Sequence, residues 1–461
     1  MFLALCAAES GLLLLLLSVY RGALKPDLSS FVFSPSGIAF IVSVVIILLS
    51  VWRIVSTFQT LGSLKRKYSM MEAGMNVLML FLLIASAEML LRSLSEPRES
   101  LFGIDLYPRQ WGAIVAQQQA VLDNMAAKGS YLIYDEREGW TIAPSYSGEH
   151  SSSREGLRSP RPDVSFADLR SRHGGRSEQP ASVRIALIGD SMTFGDEVRC
   201  EESWAHVLES HLQPSAQVLN FGIPAHGLNQ VFVRYEKEVR AWHPHIVIIG
   251  ISSGMIERIN NIYPVLMGPS WIDMPLVRPR LMVKNGALTI INYPLAKPEE
   301  ILTHSTVRTL PFLNFDDYYI RSYWDRSGIW SLLEKSYIFR VLYSLRPPID
   351  LNYESRRENA VQSSQVALQY LVRKILDDGS TPLLVYFPYS WELTSSPKLG
   401  DENAPLPVRV LHKGGFQFRD ARSCLKDADI STAYLKHGHY SPSGNAYIAR
   451  CLLPAVEAAM K

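Results

Sequence analysis

The chain has 461 residues, 46 Lys and Arg against 44 Asp and Glu, and four cysteines. This near-neutral balance argues against a dedicated nucleic-acid binder, which would concentrate basic charge on one surface, and so few cysteines exclude a disulfide scaffold. An apolar content of 47% excludes a wholly disordered chain, while a mean hydropathy of +0.04 is high for a purely soluble one.

The hydrophobic excess is local. Residues 2–20 are mostly apolar with one acid, Glu9; residues 28–52 carry no charge; residues 73–91 are apolar apart from Glu88. A helix needs about 20 apolar residues to cross the hydrocarbon core of a bilayer, so the pattern predicts an anchor of about three transmembrane helices over 1–95. The first segment lacks the basic start of a signal peptide. The second loop holds Arg53, Lys65, Arg66 and Lys67 with no acid among them, and the first holds Arg21, Lys25 and Asp27. Basic loops stay cytoplasmic. Everything after about Arg92 is then expected in the periplasm or outside the cell, with the anchor in the cytoplasmic membrane. That compartment permits disulfides. Cys200, Cys424 and Cys451 lie in the exported part, an odd number, so at most one internal pair can form, and free buried thiols are the favoured reading.

A juxtamembrane region and linker follow over 96–180. A helix is predicted from Arg109 to Ala127. Residues 151–180 are rich in Ser, Arg, Gly and Pro and read as a loop. From residue 183 short apolar runs alternate with helical patterns. Strands are predicted at Val183–Ile188, Val218–Asn220, His245–Ile251 and Pro382–Pro388. Helices are predicted at Ser203–Leu212, Leu228–Ala241, Asn359–Asp377 and Pro442–Met460. Such alternation implies βαβ units and a parallel sheet covered on both faces. The alternation stops over about 260–353, which reads as an insertion long enough to form a lid or binding wall. Within it Asn285-Gly286 marks a hairpin over Leu281–Ile291, and Trp330–Leu345 reads as a helix.

Gly189-Asp190-Ser191 ends the first strand of this region, at the sheet edge where α/β proteins bind ligands. Alone, a tight turn with a capping residue explains it. Three further features accompany it. Asn220-Phe221-Gly222-Ile223-Pro224 follows the second strand, Gly250 closes the third, and His439-Tyr-Ser-Pro-Ser-Gly444 opens the last helix. This set resembles the GDSL/SGNH hydrolase superfamily over about 181–461. Tyr134–Trp140 and Arg154–Arg158 resemble the lead-in of its membrane-anchored bacterial members. The resemblance implies a flavodoxin-like three-layer α/β/α domain with a parallel sheet. It implies Ser191 as the nucleophile, Gly222 and Ser191 as backbone oxyanion donors, and His439 as the general base. A serine needs a base to take its proton, and the oxyanion needs preorganised donors. Asp190 is expected to fix the turn rather than touch substrate.

The chain departs from that pattern twice. The third block should supply an oxyanion-binding asparagine but reads Gly250-Ile-Ser252-Ser253-Gly254; Ser252, Ser253 and Asn260 are the candidate substitutes. The acid expected three residues before the histidine is replaced by Lys436, leaving a backbone carbonyl, Asp427 or Asp429 to orient His439. His437 reads as an exposed loop residue. His226 reads equally as cleft-facing or surface. His243 and His245 flank Pro244 but lack a nearby carboxylate for a metal site. Tyr318, Tyr319, Tyr323, Trp324 and Trp330 are core aromatics or sugar-stacking residues. No P-loop, Rossmann glycine pattern or paired CxxC occurs, so no cofactor and no metal are expected.

The expected function is a membrane-anchored extracytoplasmic serine esterase that removes acyl groups, acetyl foremost, from an envelope glycan or related substrate. One alternative is an O-acyltransferase using the same Ser–His site on an exopolysaccharide. The other is a catalytically weak module for glycan binding or assembly. The expected partners are an acylated carbohydrate or other ester, the lipid bilayer and envelope-polysaccharide machinery, with no nucleic acid.

Overall fold

The computed structural model describes residues 78, 81, 84–89, 91–95, 99–101, 104–168, 183–268, 276–324, 328–345, 350, 352–393, 404–426 and 428–461. The expected membrane segments at 2–20 and 28–52 lie outside the described residues, as does part of 73–91. Among the described residues no helix is long and apolar enough to cross a membrane. The chain divides into two compact units, one of Met1–Ala113 with Arg321–Pro348 and one of Ile114–Ile320 with Ile349–Lys461.

The second unit is built on five parallel strands: β1 (Val183–Ile188), β2 (Ala216–Asn220), β3 (Ile246–Ile251), β4 (Thr381–Tyr386) and β5 (Phe418–Asp420). Their spatial order is β5-β4-β3-β1-β2, the flavodoxin-like order with its switch point between β1 and β3. The main helices are α1 (Ser191–Phe194), α2 (Trp204–Leu212), α3 (Leu228–Lys237), α4 (Ser253–Glu257), α5 (Tyr353–Asp377), α6 (Leu406–Lys413) and α7 (Pro442–Ala459). Successive strand residues point to opposite faces. Ile185 and Leu187 therefore join the cluster with Trp204, Leu208 and Leu452 of α2 and α7. Ala186 and Ile188 join the cluster with Val231, Leu371 and Val410 of α3, α5 and α6. β3 is buried along its whole length, as a central parallel strand covered on both faces should be. Truncating Ile248 or Ile249 at its middle should cost about 2–5 kcal/mol.

β5 was not expected. It is three residues long and includes Arg419 and Asp420, too short and polar to show a period. The predicted hairpin forms between Leu281–Lys284 and Ala287–Ile290. Asn285 and Gly286 both take positive φ, 51° and 76°, as a type I′ turn requires. Its Gly286 carbonyl accepts from the Tyr370 hydroxyl of α5 at 2.7 Å.

The 151–180 stretch is not a loop throughout. Ser152 bridges to Arg158, and both Leu157 and Arg158 are buried; 169–182 lie outside the described residues. The Tyr134–Trp140 motif is a hairpin of Leu132–Asp135 and Gly139–Ile142. Its Trp140 is fully buried and donates its indole N–H to the Pro224 carbonyl at 3.1 Å. Glu138 meets Arg234 of α3 in a buried ion pair at 3.0 Å.

The expectation of free thiols is corrected. Cys424 and Cys451 form a disulfide with a Cα–Cα distance of 5.4 Å, and Cys200 is free. Spacing alone does not reveal which cysteines the fold brings together.

In the first unit, Leu91, Leu101, Leu106 and Tyr337 form a small apolar cluster. Arg340 and Glu99 make a buried ion pair beside it. The predicted helix Trp330–Leu345 is two helices, Trp330–Leu333 and Tyr337–Ser344. Ser336 causes the break by capping the second helix, its hydroxyl accepting from the Phe339 N–H.

Candidate active site

Ser191 stands at the carboxyl edge of β1, on the first turn of α1. Asp190 is the N-cap, its Oδ1 accepting from the Met192 N–H at 3.1 Å. Its Oδ2 accepts from the Ser252 hydroxyl at 2.5 Å and from Arg258 at 3.2 Å. Asp190 thus joins the ends of β1 and β3 from a fully buried position. Gly189 is required there, because a Cβ would overlap the Thr193 hydroxyl and lie 2.8 Å from the Gly250 carbonyl oxygen.

Ser191 and His439 come together across 248 positions of chain, with Ser191 Oγ 2.9 Å from His439 Nε2. His439 is placed by a short loop closed by Leu435 N–H donating to the His439 carbonyl at 2.8 Å and by a Tyr434–Tyr440 bridge. Gly438 takes φ 92° in that loop, a conformation that favours glycine. On the other side of the ring, His439 Nδ1 lies 2.8 Å from Glu197 Oε2. Serine, imidazole and carboxylate therefore form a continuous chain. With Nδ1–H donating to Glu197, Nε2 is left to accept the serine proton.

Glu197 was not among the predicted residues. It follows α1 by three positions, and its φ of 63° is in the left-handed region, which a non-glycine residue adopts at a cost of order 1–3 kcal/mol when the surroundings hold it there. Two side chains, Arg158 and His150, hold this loop. Arg158 donates to the Val198 carbonyl at 2.6 Å, and its guanidinium lies 4.1 Å from the Phe194 ring centroid. His150 Nε2 lies 3.1 Å from Asp196 Oδ1. Burial works to raise the Asp196 carboxyl, but the His150 bond and the charges of His439 and His150 outweigh it and lower it. Asp429 instead caps the short helix Ile430–Ala433, and Asp427 lies outside the described residues. Lys436 is exposed. His437 is also exposed and sits 3.9 Å from Glu197 Oε1.

The groups expected to receive an oxyanion, and their candidate substitutes, have the following partners. The Ser191 N–H has no protein acceptor among the described residues. The Gly222 N–H donates to Asn220 Oδ1 at 3.0 Å, and Asn220 in turn donates to the Thr193 carbonyl at 3.1 Å. Gly222 packs so closely on α1 that a Cβ would lie 2.7 Å from the Phe194 nitrogen. The hydroxyl of Ser252 is taken by Asp190 and caps α4. The hydroxyl of Ser253 donates to Glu392. Asn260 donates to Asp317 at 2.9 Å.

His226 is fully buried, with Nε2 3.1 Å from the Trp140 carbonyl. Burial and then Arg234 hold its imidazole well below the ordinary range. His245 Nδ1 accepts from the Arg184 N–H at 3.0 Å, and the His243 carbonyl accepts from the Arg184 side chain at 2.9 Å. Among the described residues no cluster of His, Cys, Asp and Glu is arranged to hold a metal ion.

Ser191 and His439 open into a cleft of about 610 Å³ whose walls include Ser253, Glu257, Tyr389, Trp391 and Glu392. Burial raises the Glu257 carboxyl despite Arg258 and Arg357, and it raises Glu392 despite the Ser253 bond. Burial, then the charge of Asp190, pushes the Tyr389 hydroxyl up to about 12. Tyr389 and Trp391 are stacked at 4.5 Å and 7°, and Trp391 is 62% exposed. The aromatics singled out in the insertion lie elsewhere: Trp324 is buried against Trp111, Tyr323 meets Tyr107, and Tyr318 lies under Arg356. None of the five lines this cleft.

No family model matches the chain, and no curated protein matches it. Solved structures that resemble it include a G-D-S-L family protein from Desulfitobacterium hafniense DCB-2, with 16% identity, 59% of this chain and 98% of that chain covered and a TM-score of 0.30. The acetylxylan esterase Axe2 from Geobacillus stearothermophilus gives 16% identity, 60% and 95% coverage and a TM-score of 0.31. LAE5, an alpha/beta hydrolase enzyme from the metagenome of Lake Arreo, Spain, gives 12% identity, 61% and 97% coverage and a TM-score of 0.32.

Proposed function

We propose that this protein is an SGNH-type serine esterase, anchored in the cytoplasmic membrane with its catalytic unit outside the cytoplasm. The observation that carries the esterase assignment is the unbroken chain from Ser191 Oγ through His439 to Glu197, with distances of 2.9 and 2.8 Å. His439 Nε2 takes the serine proton as Oγ attacks the ester carbonyl. Glu197 holds the Nδ1–H and stabilises the imidazolium. The oxyanion is received by the Ser191 N–H. His439 then returns the proton to the leaving alcohol, and water repeats the sequence on the acyl-enzyme.

The substrate in this reading is an acyl ester, acetyl foremost, on a carbohydrate. A cleft wall bearing an exposed Trp391 suits the apolar face of a sugar ring, and the Glu257 carboxyl suits its hydroxyls. Transfer to a sugar hydroxyl would use the same acyl-enzyme, so one experiment separates the outcomes. The protein is given an acetylated oligosaccharide with and without a soluble acceptor glycan. Release of acetate that disappears in Ser191→Ala supports the esterase. Acetyl transfer that outruns release converts the assignment to an acyltransferase, and no turnover by folded protein sinks both.

A further inference from the structure

The first unit exposes a run of apolar side chains that its own core does not use. Helix Tyr337–Ser344 buries Tyr337, Arg340 and Ser344. Its opposite side carries Leu342, 64% exposed, followed by Leu345, 59% exposed. Phe339 and Tyr343 stack beside them at 5.8 Å. Just upstream, Ile329 is 73% exposed and Leu332 69% exposed, with Trp330 and Leu333 also exposed. Scattered surface leucines need no explanation, but a contiguous apolar and aromatic surface marks an interaction site.

The surroundings of this surface indicate what covers it. Residues 84–89 and 91–95 are helical and continue the apolar 73–91 segment. Glu88, the one acid of that segment, binds the start of helix Tyr337–Ser344. It accepts from the Ser336 hydroxyl at 2.8 Å and from the Tyr337 and Ile338 N–H groups at 2.6 and 3.1 Å. A carboxylate at a helix N-terminus satisfies donors that the helix itself leaves unpaired. Arg92 lies 5.2 Å over the Tyr337 ring. The contacts tie the insertion to the end of the third apolar segment, where Leu78, Phe81, Ile84 and Met89 are themselves exposed. Apolar side chains are thus exposed on both of the elements that these contacts join. Trp and Tyr accompany Leu and Ile there, the composition favoured where hydrocarbon meets headgroups.

We propose that the apolar face of Ile329–Leu345 rests in the lipid interface beside the anchor, so that this part of the insertion is a membrane collar. The collar rests on the membrane-anchored reading above. It also gives a role to Glu88, whose carboxylate would be costly inside a bilayer but is used here as a cap.

The test uses the full chain with Cys6→Ser and Cys200→Ser, leaving the Cys424–Cys451 disulfide intact. Leu332→Cys and Leu342→Cys are each labelled with a nitroxide after reconstitution into phosphatidylcholine vesicles. Arg373→Cys, at a position 83% exposed on α5, is the water-facing reference. Alkaline extraction first reports whether the chain stays with the vesicles, which tests the anchor separately. The collar predicts that positions 332 and 342 collide readily with oxygen and at least fivefold less with a water-soluble nickel chelate than position 373 does. Nickel collision equal to the reference overturns the collar while leaving the anchor standing. Shielding from both oxygen and nickel places protein, rather than lipid, on this face and also overturns it. A chain that leaves the vesicles on extraction overturns anchor and collar together.

Discussion

Glu197→Gln removes the charge that faces His439 and keeps the side-chain shape. Two unit charges about 4 Å apart attract by about 4 kcal/mol at an effective dielectric of 20. The Glu197 and His439 side chains are 27% and 18% exposed, so water screens part of this, and about 2–3 kcal/mol remains for stabilising the imidazolium. That corresponds to a loss of roughly 30- to 150-fold in kcat/KM. The assay is p-nitrophenyl acetate hydrolysis, with Ser191→Ala defining background and thermal unfolding confirming the fold. Arg158→Ala supplies a second arm, because Arg158 reaches the Val198 carbonyl that follows Glu197 at 2.6 Å. If Arg158 acts through Glu197, the double variant should be little worse than Glu197→Gln alone. A Glu197→Gln protein within about threefold of the parent would refute the assignment of Glu197 as the third member. So would a comparable loss in Asp429→Asn.

Stability should fall in acid partly through His226. Its folded-state value is held well below the unfolded one, so the unfolded chain binds a proton that the folded state refuses. The stability is present above about pH 6.5 and falls as the pH drops below it, by about 1.4 kcal/mol between pH 7.5 and 5.5. Urea unfolding at the two values should show a smaller difference for His226→Gln than for the parent; an unchanged difference contradicts the buried neutral imidazole. The Cys424–Cys451 bond closes a separation of 27 residues, worth about 3.5 kcal/mol in the chain-entropy model. Cys424→Ser paired with Cys451→Ser should lower the unfolding midpoint in oxidising buffer, and reductant should have no further effect on that variant.

The parallel sheet was legible because its strands carry apolar runs bounded by turns, and because helices intervene. β5 was not, since three residues hold no period. Ser191 and His439 were legible from the motifs around them. Glu197 was not legible because the position that the family pattern gives to the acid, three residues before the histidine, holds Lys436. The carboxylate comes instead from the loop after the serine, and only folding brings that loop against the His439 ring. The one local sign was the acidic pair Asp196-Glu197 directly after Gly195, which by spacing alone reads as a solvated turn. Arg158 stood out only through the Arg154–Arg158 resemblance and otherwise read as part of a polar loop, because a buried arginine that binds carbonyls leaves no periodic trace. The insertion read as a single lid or wall, yet its helical part groups with residues before 113. Long-range pairings such as Glu88 with Ser336, 248 positions apart, have no signature in spacing.

The most direct measurement is covalent labelling of the folded protein with a fluorophosphonate, followed by peptide mapping. One adduct is expected, on Ser191, formed at a rate that drops in Glu197→Gln and vanishes in His439→Ala and Ser191→Ala. Folded protein that takes no label, or that carries it on another residue, would contradict a Ser191–His439–Glu197 hydrolase.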